Sequence, residues 1–432
     1  MFHFKISRSS LLSEYPLSLL ANYLMMAANI IAQIVLVPIY LANLGADGFG
    51  VLVLILGLIN YTAIGVGWLS GGLQRILGET FATSDSAGFV RAYYFGKIIF
   101  VAYAFMALIV GLGIFEGVGR TQQLSLAAAI IAGLFLVANY EMMVERLALA
   151  AAARLAASNT LQFVQVIVYS IAVIFVLHAG SGLAGIFACQ LGSVLVVRML
   201  VPFCWRGMRP HREYAAAVPP LRPLLARLTG RMGGGYFAAA ALTLSGQSDV
   251  LIVGWLGGVE AAARYTLLWK VAEVCVTALW RIPETWGPIL VRLDAAGDGA
   301  RIRQQYRHVA GLLLMLAIPG GLAYALVGPS LTTLWLGAEH APKDPLGFAL
   351  AGAAIVWVGL SRLPSILAYG MARFRLLNGL AFVEVAARLA LTVTLYPHFD
   401  YLAPLVALNV VHIFGIAGAY QWAGWQLLAG RA

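Results

Sequence analysis

Five ionisable side chains lie within strongly apolar stretches in the second half of the sequence. They are Asp249, Lys270, Glu273, Glu384 and Arg388. A charge at the centre of a bilayer costs roughly 2.5–3.5 kcal/mol on insertion scales, so such a residue usually faces a partner or a water-filled cavity. Buried carboxylates can exchange a coupling ion, and buried cations can attract an anionic group. The alternative is a set of closed ion pairs that fix the packing of the helices.

The spacing of these residues predicts which of them lie together. Lys270 and Glu273 are three residues apart and share one face of a helix. Glu384 and Arg388 are four residues apart and also share a face. Asp249 and Lys270 each lie ~12–14 Å below the outer end of their predicted helices, at ~1.5 Å per residue. A hairpin of these two helices would bring Asp249 and Lys270 into contact.

The composition requires a membrane around the elements that position these charges. Of 432 residues, 61% are hydrophobic and 11% are charged, and the mean hydropathy is +0.87. A soluble domain carries about 25% charged residues. A chain this apolar cannot cover itself with polar groups, so lipid must be its solvent. The cysteines Cys189, Cys204 and Cys275 show no C-x-x-C spacing, so the sequence indicates no metal site, disulfide framework or cofactor.

Apolar segments predict an all-α polytopic protein with about twelve transmembrane helices, because a crossing needs about 20 apolar residues. Six lie in each half of the chain. Those of the first half are 17–41, 49–70, 96–115, 124–143, 161–179 and 183–204, and those of the second half are 232–257, 261–282, 308–328, 346–368, 376–396 and 403–425.

Basic residues predict the orientation of the helices. Lys and Arg accumulate on the cytoplasmic side of membrane proteins. If both termini are cytoplasmic, most of the 28 basic residues lie on cytoplasmic segments or at the cytoplasmic ends of helices. Of these segments, 205–231 contains the most basic residues. This bias explains the basic segment without any specific ligand, and contact with anionic membrane lipids is a secondary effect.

An internal repeat predicts two related halves. The stretch that begins at Ala153-Arg154 recurs at Ala372-Arg373 with the pattern A-R-x4-N-x-L-x-F-V-x-V. An even number of helices in each half gives both halves the same orientation, related by a pseudo-two-fold axis along the membrane normal. We therefore divide the chain into a six-helix lobe at 1–204, a basic linker at 205–231 and a second six-helix lobe at 232–432.

Several short motifs occur in the order of a known family. They are Pro38–Gly50, Ser248–Gly257 followed by Arg264-Tyr265, Pro288–Leu293 followed by Gly297-Asp298, and Leu334–Gly337. With the twelve-helix frame, they resemble polysaccharide-biosynthesis flippases of the O-antigen (Wzx) type, in the multidrug/oligosaccharidyl-lipid/polysaccharide (MOP) exporter superfamily. Each motif is loose, but together they cover nearly the whole chain.

This resemblance implies a transporter of the bacterial inner membrane with a central cavity that opens alternately to either face. Its substrate would be an undecaprenyl-pyrophosphate-linked oligosaccharide, moved from the inner to the outer leaflet. Coupling to H+ or Na+ antiport is suspected for the superfamily, and polysaccharide assembly proteins are further candidate partners. Nucleic acid is not an expected partner.

The resemblance also suggests roles for the polar residues. Lys270 and Arg388 would attract the pyrophosphate, and Asp249, Glu273 or Glu384 would exchange the coupling ion. Arg75, at the inner end of the second helix, either meets the pyrophosphate first or is an ordinary boundary arginine.

Three amide side chains of the first helix share a face, and His412 lies in the last helix. Asn22, Asn29 and Gln33 either line a sugar-binding cavity or hydrogen-bond to neighbouring helices. His412 is predicted to be a packed polar residue in preference to a proton relay.

Two other functions compete with the flippase. A multidrug antiporter of the same superfamily often carries a coupling aspartate in its first helix, but the span 17–41 has no acidic residue. A membrane glycan polymerase or glycosyltransferase needs a large extramembrane loop with catalytic residues, and the longest outer loop, 328–345, shows no such constellation. The nucleotide-binding motif G-x-x-x-x-G-K-[ST] is absent, so the sequence predicts neither an enzyme nor a direct user of ATP.

Overall fold

The computed structural model describes residues 8–119, 125–205, 235–371 and 373–429, and the described residues fold into α-helices without any strand. In chain order the helices are α1 (Arg8–Ala82), α2 (Ser86–Gly119), α3 (Leu126–Ala151), α4 (Leu155–His178), α5 (Gly182–Trp205), α6 (Gly235–Ala295), α7 (Gly299–Leu336), α8 (Pro345–Gly370), α9 (Phe374–Phe399), α10 (Ala403–Val411) and α11 (Ala417–Ala429). The basic segment 205–231 lies outside the described residues except for Trp205.

Nine helices within the described residues are long and apolar enough to cross a membrane. Three of these stretches, Leu20–Gly67, Gly246–Gly287 and Arg375–Leu427, contain 48, 42 and 53 residues. Each is about twice as long as the ~20 residues of one crossing, so it accommodates two of the predicted spans. The prediction of an all-α, multi-pass membrane protein is therefore confirmed.

Two glycines replace the outer connections that the sequence predicts between consecutive spans. Gly45 (φ 71°, ψ 178°) and Gly258 (φ 81°, ψ −176°) are the non-helical residues inside α1 and α6. This backbone conformation is essentially confined to glycine. The neighbouring Gly257 has a different role, because a Cβ atom there would collide with the hydroxyl of Tyr396. A single glycine turn therefore joins each pair of spans.

Several helices extend beyond the apolar stretches that predict them. Helix α2 begins at Ser86, ten residues before the predicted start at 96, and α3 ends at Ala151 and not at 143. Helix α7 continues to Leu336, so the long outer loop predicted at 328–345 shortens to 337–344. Polar residues at these ends are tolerated in a helix because its backbone hydrogen bonds are satisfied internally.

The chain forms two compact units. The first comprises Met1–Gly45 and Thr62–Met232, and the second comprises Ala46–Tyr61 and Gly233–Ala432. The segment Ala46–Tyr61, which the division by sequence assigns to the first lobe, packs in the second unit. The segment can pack closely there because Gly50 has no side chain: a Cβ on Gly50 would collide with the carbonyl of Val259.

The last membrane segment is interrupted. A five-residue π-helical turn, His412–Ile416, separates α10 from α11. Turns of this kind are rare and occur frequently at functional sites. This turn places His412 in the interior of the second unit, where the side chain is 1% exposed.

Candidate functional site

A polar cavity of about 210 Å³ lies within the first unit. Helices α1, α3, α4 and α5 each contribute to its wall. Its lining residues are Asn29, Phe135, Arg146, Gln162, Gln165, Val166, Tyr169, Gln190 and Ser193. The wall therefore combines one cation with four amide side chains, which suits a ligand that carries an anionic group and many hydroxyls.

Arg146 is the charged residue of this wall. Its guanidinium donates to the side-chain oxygens of Gln165 and Asn139 over 3.5 and 3.3 Å, longer than the usual 2.7–3.2 Å range. Its Nε is buried without a hydrogen-bond partner. Among the residues that the structure describes, none of the ion pairs includes Arg146. The cavity therefore contains a cation whose charge is not neutralised by a carboxylate.

Helix α3 directs its charged residues to different faces. Asn139 and Arg146 are seven residues apart and lie on the cavity side. Glu141 and Glu145 are four residues apart and face Lys97 of α2, whose Nζ lies 2.5 Å from Glu141 and 2.7 Å from Glu145. The helical period therefore separates the arginine from the nearest glutamates in the sequence.

The glutamates belong to a charge-balanced cluster of the first unit. Glu141 also pairs with Arg198 of α5 at 2.6 Å. Glu145 also accepts hydrogen bonds from the hydroxyl of Tyr93 and, at 3.1 Å, from the indole of Trp205. Within the described residues this cluster contains two cations and two carboxylates, and its ion pairs join α2, α3 and α5.

The sequence interpretation missed both Arg146 and this cluster. It ended the fourth span at 143 and began the third at 96, which placed Lys97, Glu145 and Arg146 at helix ends. One signal was available: Glu141 and Glu145 are an i,i+4 pair of carboxylates directly after an apolar stretch.

A second charged cluster lies within the second unit. Arg388 of α9 donates a hydrogen bond to the carboxylate of Asp249 of α6, which also accepts one from the hydroxyl of Tyr265 at 2.9 Å. Asp249 is 1% exposed and Arg388 6% exposed. The contact between Asp249 and Lys270 that a hairpin would bring about is therefore not formed, because Arg388 is the cation that pairs with Asp249.

Glu384 and His412 form the other side of this cluster. One carboxylate oxygen of Glu384 lies 3.6 Å from Nε2 of His412, and the other accepts from the hydroxyl of Tyr420 at 3.3 Å. Glu384 is 5% exposed. The i,i+4 spacing correctly places Glu384 and Arg388 on one face, and both contribute to the same buried cluster.

Lys270 pairs with Glu273, as the i,i+3 spacing predicts. Its Nζ lies 2.9 Å from the carboxylate, and the two side chains are 20% and 44% exposed. This pair is less buried than the Asp249–Arg388 pair.

The remaining predicted site residues are more dispersed. Asn29 is half-buried, lines the cavity of the first unit and donates to the carbonyl of Met25 at 2.9 Å. Asn22 and Gln33 of the same helix are exposed. Arg75 pairs with Glu79 at 3.1 Å, with side chains 61% and 39% exposed. Of these four residues, the structure brings only Asn29 to the cavity.

No protein-family model and no curated protein sequence matches the chain. Solved structures do match its fold. A multidrug resistance MATE family transporter of the MOP superfamily in an inward-facing conformation has a TM-score of 0.71 and 12% identity, over 94% of this chain and 95% of that chain.

Two further structures extend this comparison. An outward-facing MATE family transporter of the MOP superfamily gives a TM-score of 0.66 at 12% identity, over 96% of this chain and 95% of that chain. The Vibrio cholerae MATE transporter VcmN in its bent form gives 0.60 at 13% identity, over 98% and 99%. At such low identity the likeness establishes the fold, which is that of MATE transporters.

Proposed function

We propose that this chain is an alternating-access transporter that moves an undecaprenyl-pyrophosphate-linked oligosaccharide across the bacterial inner membrane, from the inner to the outer leaflet. The observation that carries the proposal is the cavity of the first unit, in which Arg146 forms no ion pair with any carboxylate of the described residues. An embedded cation of this kind attracts an anion more strongly than it would in water, because the low dielectric screens the charge less.

The chemistry of the cavity wall supports a glycan headgroup. A pyrophosphate presents several acceptor oxygens, which suit the planar donor groups of an arginine. A sugar presents hydroxyls that both donate and accept, and the amides of Asn29, Gln162, Gln165 and Gln190 do the same. A cationic drug would instead need a carboxylate in this cavity.

The fold supports the transport mechanism. Structures with this fold are described as inward-facing and as outward-facing transporters. The two states are what alternating access requires, in which a central site opens first to one side and then to the other. A transporter of this kind binds its cargo without making or breaking bonds, which agrees with the expectation that the chain is not an enzyme.

The other predicted site residues have supporting roles in the proposal. Lys270 supplies a second, partly exposed cation for the pyrophosphate, and Arg75 contacts the lipid headgroup as it approaches from the inner leaflet. Asp249, Glu273 and Glu384 are the candidates for coupling to H+ or Na+. Arg388 contributes to this coupling indirectly, because its guanidinium is bound to Asp249.

A multidrug antiporter is the second candidate, because the neighbouring structures include multidrug resistance transporters. The two functions differ in the charge of the cargo. Substituting Arg146→Glu would reverse the charge of the cavity, and we expect it to abolish export of a lipid-linked glycan. A drug antiporter that carries organic cations would retain or gain activity.

The decisive experiment measures how much lipid-linked glycan accumulates on the cytoplasmic leaflet in a strain whose own gene is deleted and which expresses a variant instead. We expect Arg146→Gln to make the glycan accumulate on the cytoplasmic leaflet, and Arg146→Lys to restore part of the export because it keeps the charge. Arg198→Gln is the matched control, since Arg198 is half exposed and pairs with Glu141 outside the cavity. Export at the wild-type level in a folded, inserted Arg146→Gln protein would contradict the proposal.

A binding measurement tests directly whether the protein recognises the pyrophosphate. Purified protein in detergent should bind undecaprenyl pyrophosphate more tightly than undecaprenol, and Arg146→Gln should lose this preference. Equal affinity for both lipids would show that the cavity does not recognise the pyrophosphate. Extrusion of a fluorescent cationic dye that depends on the protein would favour the antiporter.

A further inference from the structure

We infer that Glu384 and His412 form a binding site for a single proton in the interior of the second unit. The inference does not depend on the identity of the cargo, because it rests on the charges of one buried cluster. The cluster contains two carboxylates, of Asp249 and Glu384, and one guanidinium, of Arg388. The positive charge of Arg388 can balance only one of the two carboxylates.

The burial of the cluster makes the remaining negative charge costly. The exposed fractions of Asp249, Glu384, Arg388 and His412 are 1%, 5%, 6% and 1%. Leaving an uncompensated charge in such surroundings is strongly unfavourable. Uptake of a single proton makes the cluster neutral.

The hydrogen bonds of His412 show where the proton can reside. Its Nδ1 lies 3.0 Å from the carbonyl of Leu408, so we assign the ring hydrogen to Nδ1, which donates to that carbonyl. Nε2 then has a lone pair and faces the carboxylate of Glu384 at 3.6 Å. A proton between these two groups is held either by Glu384 or as an imidazolium paired with the carboxylate.

The groups around the pair come from every helix that packs against it. Tyr265 of α6 donates to Asp249, and Tyr420 of α11 donates to Glu384. Both are neutral phenols, so neither changes the charge of the cluster. Ser365 of α8 contributes a neutral hydroxyl to Tyr420.

Charged groups further out are occupied by partners of their own. Glu273, near Tyr265, pairs with Lys270. Arg362, near Tyr420, shares Glu284 with Arg281. This outer group carries one excess positive charge, but it lies near the phenols of Tyr265 and Tyr420 and forms no ion pair with Asp249 or Glu384 among the described residues. The excess negative charge of the inner cluster remains.

Two further observations support a site in preference to a packing device. The π-helical turn that begins at His412 is a local irregularity of a type often found at functional sites. The buried cluster of the first unit, by contrast, balances Lys97 and Arg198 against Glu141 and Glu145. Among the residues that the structure describes, the charges of that cluster are equal in number, whereas those of the cluster around Glu384 are not.

A proton fits this site better than a sodium ion. Sodium needs several oxygen ligands around one point, whereas Oδ2 of Asp249 is bound to both Arg388 and Tyr265, and Glu384 faces a nitrogen of His412. The described residues contain no group of three or more His, Cys, Asp or Glu side chains arranged to hold a metal ion.

The test is a proton titration of the purified, full-length protein in detergent. We expect wild type to hold one proton near neutral pH that Glu384→Gln does not hold. His412→Gln and Tyr420→Phe should each move the midpoint at which this proton is released, because each removes a neighbour of the carboxylate. Thr394→Ala, an exposed and uncharged change on the same helix, is the control and should leave the titration curve unchanged.

Three results would overturn the inference. The first is a difference curve for Glu384→Gln that shows no proton bound to wild type near neutral pH. The second is a midpoint that stays unchanged in His412→Gln, which would exclude a shared proton. The third is a displacement of the curve when Na+ replaces choline at constant ionic strength, since that would assign the site to sodium. If Glu384→Gln fails to fold, the shifts of His412→Gln and Tyr420→Phe decide the question.

Discussion

The guanidinium of Arg388 is hydrogen-bonded to the carboxylate of Asp249, which lies 139 residues earlier in the chain. The two side chains are 8% and 1% exposed. Their contact ties α9 to α6 in the interior of the second unit. It also takes Asp249 away from Lys270, which pairs locally with Glu273. The ion pairs of this unit therefore differ from those that the order of the helices suggests.

Breaking this ion pair should destabilise the protein strongly. We expect Asp249→Asn to cost about 3–5 kcal/mol, because the buried guanidinium of Arg388 loses the carboxylate that it contacts directly. The double substitution Asp249→Asn with Arg388→Gln should recover much of this loss, since it removes both charges. Thermal unfolding in detergent measures both effects. A double variant no more stable than Asp249→Asn would show that the two charges are not coupled.

The charged cluster of the first unit, formed by Lys97, Arg198, Glu141 and Glu145, should stabilise the fold. Glu145→Ala should cost about 3–5 kcal/mol, because the half-buried Lys97 loses one of its two carboxylates and the buried Tyr93 and Trp205 lose their acceptor. Glu79→Ala, which breaks an exposed pair with Arg75, should cost at most about 1 kcal/mol. Similar melting temperatures for the two variants would contradict this assignment.

The turn at Gly258 should not tolerate a side chain. Gly258→Ala should cost about 1–3 kcal/mol, since the backbone conformation there is closed to other residues. No atom lies within 4 Å of an added Cβ at this position, so the cost comes from the backbone alone. Gly311→Ala is the matched control: it is helical and equally open, and alanine is the better helix former. The prediction fails if both variants melt at the wild-type temperature.

Lys270 should be needed for export without being needed for folding. Lys270 and Glu273 are less buried than Asp249 and Arg388, so removing this cation should disturb the packing less. We expect Lys270→Ala to abolish export of the lipid-linked glycan in a protein that is folded and inserted. Arg264→Ala, which breaks the exposed pair with Glu260, should leave export unchanged. A full-strength transport signal in Lys270→Ala would exclude a role for Lys270 in binding the cargo.

The helix α1 should contribute to the cavity through Asn29 and not through Gln33. Asn29 lines the cavity of the first unit, whereas Gln33 is exposed. We expect Asn29→Ala to reduce export several-fold and Gln33→Ala to leave it near the wild-type level. Transport assays on the two variants at equal expression compare them directly. The reverse order would mean that another face of the helix meets the cargo.

The charged residues illustrate what an apolar pattern can and cannot locate. Asp249, Lys270, Glu273, Glu384 and Arg388 stand out in the sequence because each interrupts an apolar stretch. Arg146 and Lys97 do not stand out, because they lie where the apolar stretches end although the helices continue. Hydropathy marks the part of a helix that meets the hydrocarbon, and the helix itself ends only where its hydrogen bonds end.

The sequence by itself determined that this protein lies in lipid and that it is all-α. It also determined which residues share one face of a helix: Lys270 with Glu273, and Glu384 with Arg388. These follow from the cost of exposing backbone groups to lipid and from the period of the α-helix. Only the tertiary structure decided that Asp249 binds Arg388, that His412 faces Glu384 and that Arg146 enters a cavity without a carboxylate. Those partners come from helices far apart in the chain, and their contacts depend on how each helix is rotated about its axis, which the order of residues along one helix does not specify.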